Sequence, residues 1–190
     1  TRFYGLRANT LKTKPEDFLK ITPFSLSPIP WTRDGFYYSE PEEPGKHPHY
    51  YAGLYYIQEP SAMIPASILS VKPGEKILDL CAAPGGKTLQ IAAQMKSQGL
   101  LVANEIHSDR AKALLKNIEL YGVTNALVTN ETPDKLSQKF PLYFDRILVD
   151  APCSGEGTFR KDKDSIKTWG KYSQEKCSKL QREILQEADK

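Results

Sequence analysis

The sequence predicts a two-part α/β protein, a doubly wound domain on a parallel sheet preceded by a small α+β segment. Three observations predict it. From Val71 onward, short apolar runs alternate with amphipathic stretches long enough to be helices, the pattern of βαβ units. Before that point the chain is rich in proline and aromatics, with turn-forming patches at Ser27-Pro28-Ile29-Pro30 and Glu40-Pro41-Glu42-Glu43-Pro44-Gly45. The first and fourth apolar runs also leave through unusual turns, Cys81-Ala82-Ala83-Pro84-Gly85-Gly86 and Asp150-Ala151-Pro152-Cys153.

Residues 1–60 form the first part. Strands are expected at Phe3–Leu6 and Gly35–Tyr38, with a short helix at Pro15–Lys20. Residues 50–57 fit either a strand or an aromatic-rich loop. Residues 61–190 form the second part. Ser61 reads as the N-cap of a helix over Ala62–Leu69, with Pro65 tolerated near its first turn. Lys76–Leu80 is the first buried strand, followed by the small-residue turn and a helix from Lys87 to Lys96. Leu100–Ile106 is the second strand. Ser108 then caps a helix whose Ala111, Leu114, Leu115 and Ile118 fall on one face, and Gly122 ends it in the left-handed conformation. Ala126–Thr129 and Asp145–Asp150 are the third and fourth strands. A last helix starts near Ser173 and lines up Cys177, Leu180, Ile184 and Ala188.

Bulk properties narrow the class. The 190 residues are 39% hydrophobic and 26% charged, as in a soluble globular protein. No apolar stretch approaches the roughly 20 residues of a membrane-spanning helix. Thr-Arg-Phe-Tyr-Gly-Leu-Arg at the start lacks the apolar core of a signal peptide, so an intracellular, cytoplasmic protein is expected. Cys81, Cys153 and Cys177 are odd in number and widely spaced, which argues against a disulfide framework and suits free thiols. His47 and His49 flank one proline without further ligands, so no metal site is expected, and a monomer is favoured. Net charge is only +3. Between Arg160 and Arg182, however, Lys161, Lys163, Lys167, Lys171, Lys176 and Lys179 outweigh Asp162, Asp164 and Glu175. That excess fits phosphate contact and a solvated helix face equally well.

The first strand's exit is the informative turn. In open parallel sheets the ligand sits beyond the carboxyl ends of the strands, where strand order reverses. Small residues admit a ligand close to the backbone, and the helix start offers free N–H groups to a carboxylate. Gly86-Lys87-Thr88 matches the end of a P-loop, but that motif needs glycine where Cys81 stands. Glu105 ends the second strand about 25 residues further on, where an acid can accept from two ribose hydroxyls. A carboxylate-binding turn with a ribose-binding acid points to S-adenosylmethionine.

The strings DLCAAPGGKT at 79–88, Asn104-Glu105, and DAPCSGEGTFRK at 150–161 resemble the Sun family of RNA cytosine-5 methyltransferases, relatives of the nucleolar Nop proteins. Within it the bacterial ribosomal RNA enzymes are most similar. LRANTLK at 6–12 and AGLYYIQEPSAM at 52–63 resemble the segment ahead of that family's catalytic domain. The resemblance implies a Rossmann-like methyltransferase sheet, S-adenosylmethionine as cofactor and RNA, most naturally ribosomal RNA, as partner. It implies that Cys81, Ala82, Ala83, Pro84, Gly85, Gly86 and Lys87 form the cofactor turn, with Lys87 near the methionine carboxylate, and that Glu105 holds the ribose. Asp150 would stand beside the sulfonium and the target base, with Pro152 and Cys153 lining the base pocket and Arg160 and Lys161 on the substrate side. The family's usual acid for the adenine amino group falls near Thr132 here, which leaves Asn130 as an acceptor in its stead.

The implied chemistry explains these residue types. C5 of cytosine is a poor nucleophile until a thiolate adds at C6, and a proton or hydrogen bond at N3, a task for a protonated Asp150, favours that addition. Arg160 or Lys161 would help to lower the pKa of Cys153. The base must be single-stranded or flipped. In this family the Pro-Cys-Ser cysteine, here Cys153, helps to release product, while the attacking thiol belongs to a later Thr-Cys pair. No Thr-Cys pair occurs in the chain, which is therefore expected to be a fragment truncated within the sheet. Three alternatives stay open: Cys153 as the attacking thiol itself, a non-catalytic RNA-binding or assembly relative, and a methyltransferase acting on an exocyclic amine.

Overall fold

The computed structural model describes residues 3–155 and 174–190 and contains two four-stranded sheets. The first is antiparallel. It comprises β1 (Tyr4–Ala8), β2 (Ser27–Pro28), β3 (Gly35–Tyr38) and β4 (Tyr55–Ile57) in the order β2-β3-β1-β4. Leu6, Ala8, Phe36 and Tyr55 gather around Phe18 of helix α1 (Pro15–Ile21). Pro15 begins that helix, with Glu16 and Asp17 in its first turn and Lys20 in its last, the charge order its dipole favours. Residues 50–57 prove to be neither one strand nor a loop. A short helix α2 (Pro48–Tyr51) precedes β4.

Ser61 does not cap a helix. Residues Pro60–Met63 make a 3-10 turn closed by backbone, with Ala62 N–H donating to Glu59 O at 3.0 Å, and α3 starts only at Ile64 and ends at Leu69. Once the turn satisfies its own donors, the Ser61 hydroxyl has no capping work to do.

The second sheet is parallel, in the order β7-β6-β5-β8. Its strands are β5 (Lys76–Asp79), β6 (Leu100–Asn104), β7 (Ala126–Thr129) and β8 (Arg146–Leu148). Alternating side chains feed two layers. Ile77 and Leu101 pack with α3 and with α4 (Gly86–Met95) through Ala66, Ile91 and Met95, while Leu89 and Ala103 meet Leu114 and Ile118 of α5 (Ser108–Tyr121). Leu78 and Val102 face the opposite way, toward Leu136 of α6 (Pro133–Lys139) and Ile184 of α7 (Gln174–Ala188). This is the Rossmann-like α/β arrangement expected from the alternation of elements.

Two finer expectations need correction, and one element was not anticipated. Leu115 and Leu180 are 44% and 42% exposed, so each helix buries a narrower stripe than its apolar spacing allows. Ser108 is the first helical residue, not the cap; the preceding His107 N–H donates to Glu105 Oε1 at 3.0 Å. Helix α6 escaped notice because its seven residues bury only Leu136, too little for a periodic signal.

The two sheets are bolted together by the segment 6–12. Arg7, fully buried, donates to Gly86 O at 3.2 Å and pairs with Asp34 at 3.4 Å. Asn9 Nδ2 donates to Tyr121 O and Gly53 O at 2.8 Å each, and Lys12 Nζ to Leu120 O at 2.6 Å. A buried amide and a lysine from the first sheet thus cap the carbonyl end of α5 in the second, where positive charge suits the helix dipole. Among the described residues, no helix is long and apolar enough to cross a membrane, and no group of three or more His, Cys, Asp or Glu is placed to hold a metal.

Candidate active site

Strand order reverses between β5 and β8, and both unusual turns open at that reversal. β5 runs into the turn 80–85, whose Ala83–Pro84 bond is cis. Gly85 sits at φ +116°, and a Cβ there would come within 3.2 Å of Leu114 Cδ1. A Cβ on Gly86 would lie 3.1 Å from Tyr56 Cε1. The glycine pair therefore lets the turn nest between α5 and the N-terminal sheet, Gly85 at a backbone geometry other residues rarely adopt. Side chains fasten it: Arg110 Nη2 donates to Ala83 O at 2.7 Å and Asn117 Nδ2 to Pro84 O at 2.8 Å.

Carboxylates surround this turn. Asp79, the last residue of β5, is 1% exposed; its Oδ2 accepts from Thr88 Oγ1 at 2.7 Å, and its Oδ1 has no partner. Burial pushes its pKa up to about 6, against the opposing pull of the Thr88 hydroxyl and the Lys87 charge. Glu105, 2% exposed, follows β6 and pairs with Arg110 at 3.3 Å, so Arg110 links the ribose-side acid to the turn. Asn104 ties three strand ends together: its Nδ2 donates to Leu80 O and Glu131 O, and its Oδ1 accepts from Thr129 Oγ1. Asn130 spends its Nδ2 on Glu105 O at 2.6 Å, which leaves its Oδ1 as the acceptor.

Across the reversal, Lys87 Nζ donates to Asp150 Oδ2 at 2.5 Å, joining the start of α4 to the end of β8. Asp150 is thus engaged by Lys87, and a contact with N3 of a base requires that pair to open. Pro152 and Cys153 follow on the surface, and Gln181 Nε2 of α7 holds Pro152 O at 2.9 Å. Cys81, half-buried, has its pKa pushed up to about 11 by burial and the nearby carboxylates, so it stays a thiol in the turn wall. Arg160 and Lys161 lie outside the described residues.

The structure therefore brings the turn 81–87, Glu105, Asn130 and Asp150 to one crevice rim. Sequence reasoning missed Asp79, Arg110 and Asn117 there, and the buried Arg7 behind the turn. Asp79 had a signal, an acid inside the apolar run Ile77-Leu78-Asp79-Leu80, which is costly without a purpose. The other three act through backbone carbonyls, which leave no mark in a sequence.

Residues 66–190 match the family model described as 16S rRNA methyltransferase RsmB/F, and residues 1–60 match the N-terminal domain of 16S rRNA methyltransferase RsmF. Among curated proteins, ribosomal RNA small subunit methyltransferase F of Escherichia coli O157:H7 is 40% identical over 193 residues, covering 97% of this chain and 40% of its own. The Vibrio parahaemolyticus protein of the same name is 43% identical over 192 residues, with the same coverage. The chain thus spans about two fifths of the length of these relatives. Among solved structures, a methyltransferase homolog from Pyrococcus horikoshii aligns with TM-score 0.81 and 34% identity over 99% of this chain and 60% of its own. NSun6 from Pyrococcus horikoshii, solved with SFG, shares the fold, with TM-score 0.71 and 20% identity over 81% of this chain and 64% of its own. On its sequence and its fold alike, the chain belongs to the RsmB/F family of 16S rRNA methyltransferases.

Proposed function

We propose that this chain supplies the cofactor-binding half of an S-adenosylmethionine-dependent methyltransferase acting on C5 of a cytosine in ribosomal RNA. One observation carries the reading. Adjacent parallel strands at the reversal deliver Lys87 and Asp150 to a single ion pair above a glycine turn, with the buried acids Asp79 and Glu105 at the ends of β5 and β6. The residues fit the cofactor. The unpartnered Oδ1 of Asp79 suits its ammonium group, the paired oxygens of Glu105 its ribose hydroxyls, and the free Oδ1 of Asn130 the adenine amino group. Ile106, 51% exposed beside Glu105, offers an apolar face to the base. Bound there, the cofactor supplies an electrophilic methyl group.

The chain's own part is orientation and proton handling. Lys87, turning from Asp150 to the methionine carboxylate, would free Asp150 to face N3 of the cytosine. Cys153, exposed three residues further on, would be the thiol that assists product release. This reading assigns the attack at C6 to a thiol other than Cys153. Calorimetric titration with S-adenosylmethionine tests the reading: one molecule should bind per chain, and Glu105→Ala should weaken binding at least tenfold. A chain that binds none would end it.

A further inference from the structure

Apart from the crevice, a cleft of about 700 Å³ opens between the N-terminal segment and the outer face of α4. Trp31 and Arg33 stand on one side, and Ser67, Gln90, Gln94 and Lys96 on the other. Gln94 is eight residues past Gly86, about 12 Å along the helix, so the cleft is separate from the glycine turn.

Its polar groups are incompletely used. Gln90 is 2% exposed; its Nε2 donates to Met63 O and Ser67 Oγ at 3.0 Å each, and its Oε1 has no partner. Gln94, one turn on, repeats the pattern, with Nε2 on Ala66 O at 3.1 Å and Oε1 unpartnered. Because the nitrogens must face carbonyl oxygens, both orphan atoms are acceptors. They call for hydrogens such as a nucleobase amino or ring N–H supplies. Arg33 and Lys96 are exposed and form no ion pair with a described residue. Of the acids lining the cleft, Asp34 is committed to Arg7, and only Glu16 offsets the two cations.

Aromatics lead outward from the cleft. Trp31 is fixed by its Nε1–H on Pro60 O at 2.8 Å and stands edge-on to Tyr37 at 6.4 Å, which in turn leans on Phe3 at 5.8 Å. Phe3 is 66% and Trp31 39% exposed. Such a row, flanked by free cations, is a platform on which unpaired bases stack without regard to sequence.

We infer that the cleft and the row Phe3–Tyr37–Trp31 form a second docking site for single-stranded RNA. One base gives hydrogens to Gln90 and Gln94, its neighbours stack on the aromatics, and Arg33 and Lys96 meet phosphates. This rests on the reading of the chain as an RNA methyltransferase.

The test uses the whole chain, a fluorescein-labelled single-stranded RNA of about 12 nucleotides, anisotropy across a salt series, and calorimetry with S-adenosylmethionine on the same preparations. Removing two phosphate contacts with Arg33→Ala and Lys96→Ala together should make the log–log salt slope shallower by about 1.4. Trp31→Ala should weaken RNA binding roughly tenfold. Gln94→Met, which keeps the helix and its packing, should weaken it severalfold. Cofactor affinity should stay unchanged in all three. Unaltered RNA affinity and slope in the double variant would overturn the docking site and leave the proposed function standing. So would an unmodified chain that binds cofactor but no RNA, or variants that lose both ligands together. An unmodified chain that binds RNA but no cofactor would instead remove the functional reading.

Discussion

Asp79 is ionised at neutral pH only against the resistance of its surroundings, with its pKa pushed up to about 6 by burial. Its native form holds a proton more tightly than the unfolded chain does. Between about pH 4 and pH 6 the folded state therefore binds the extra proton, and stability falls as pH rises through that window, by about 3 kcal/mol in all. Asp79→Asn, whose amide oxygen can still accept from Thr88, escapes this cost. Urea unfolding at about pH 4 and pH 7 should show the variant gaining stability relative to the parent as pH rises, while its affinity for S-adenosylmethionine drops. A pH-independent difference would mean that the carboxylate carries no such penalty. Gly85 makes the complementary case from backbone. With φ at +116° and Leu114 Cδ1 only 3.2 Å from where an alanine methyl would sit, Gly85→Ala should cost roughly 1–3 kcal/mol in thermal unfolding. It should also weaken cofactor binding, because the turn must shift off Leu114.

At the level of elements, the segment 6–12 does work that its sequence states only as a pattern. LRANTLK was legible as a resemblance, yet its physical content is a bracket: Arg7 on the first carbonyl of α4, Asn9 and Lys12 on the last carbonyls of α5. Gly53 belongs to the same bracket, since a Cβ there would collide with Leu120 O. Arg7→Met keeps most of the apolar stem but strips Asp34, whose side chain is 13% exposed, of its cation. Such a broken buried pair should cost about 3–5 kcal/mol in chemical unfolding. The loss of the bond to Gly86 O should raise the dissociation constant for S-adenosylmethionine as well, although Arg7 lies outside the crevice. What the sequence made plain was what depends on period and on rare residues: the four parallel strands, the glycine turn, Glu105 and Asp150. What it hid depends on contacts between distant segments. Side chains that serve carbonyls leave no periodic trace, and neither does a seven-residue helix burying one leucine.

For the whole molecule, the bracket decides whether the two sheets unfold together. Inter-domain contacts inside one chain are usually modest and polar, and such domains often melt separately. Here the join contains a fully buried arginine, a buried asparagine and one glycine, Gly53, with no room for a side chain, and it caps a helix of the other sheet. Leu11 and Tyr56 of the N-terminal segment also pack into the cluster of Leu89, Leu114 and Tyr121. Removing the first sheet would leave the carbonyls of Gly86, Leu120 and Tyr121 without these donors and bare the apolar side of that cluster. The chain should therefore show one calorimetric transition whose van't Hoff and measured enthalpies agree. A chain of residues 61–190 alone should melt at a lower temperature and bind S-adenosylmethionine at least tenfold more weakly, even though Asp79, Lys87, Glu105 and Asp150 are all retained. Two separate transitions, or full cofactor affinity in the shortened chain, would show that the glycine turn holds its shape without the N-terminal sheet.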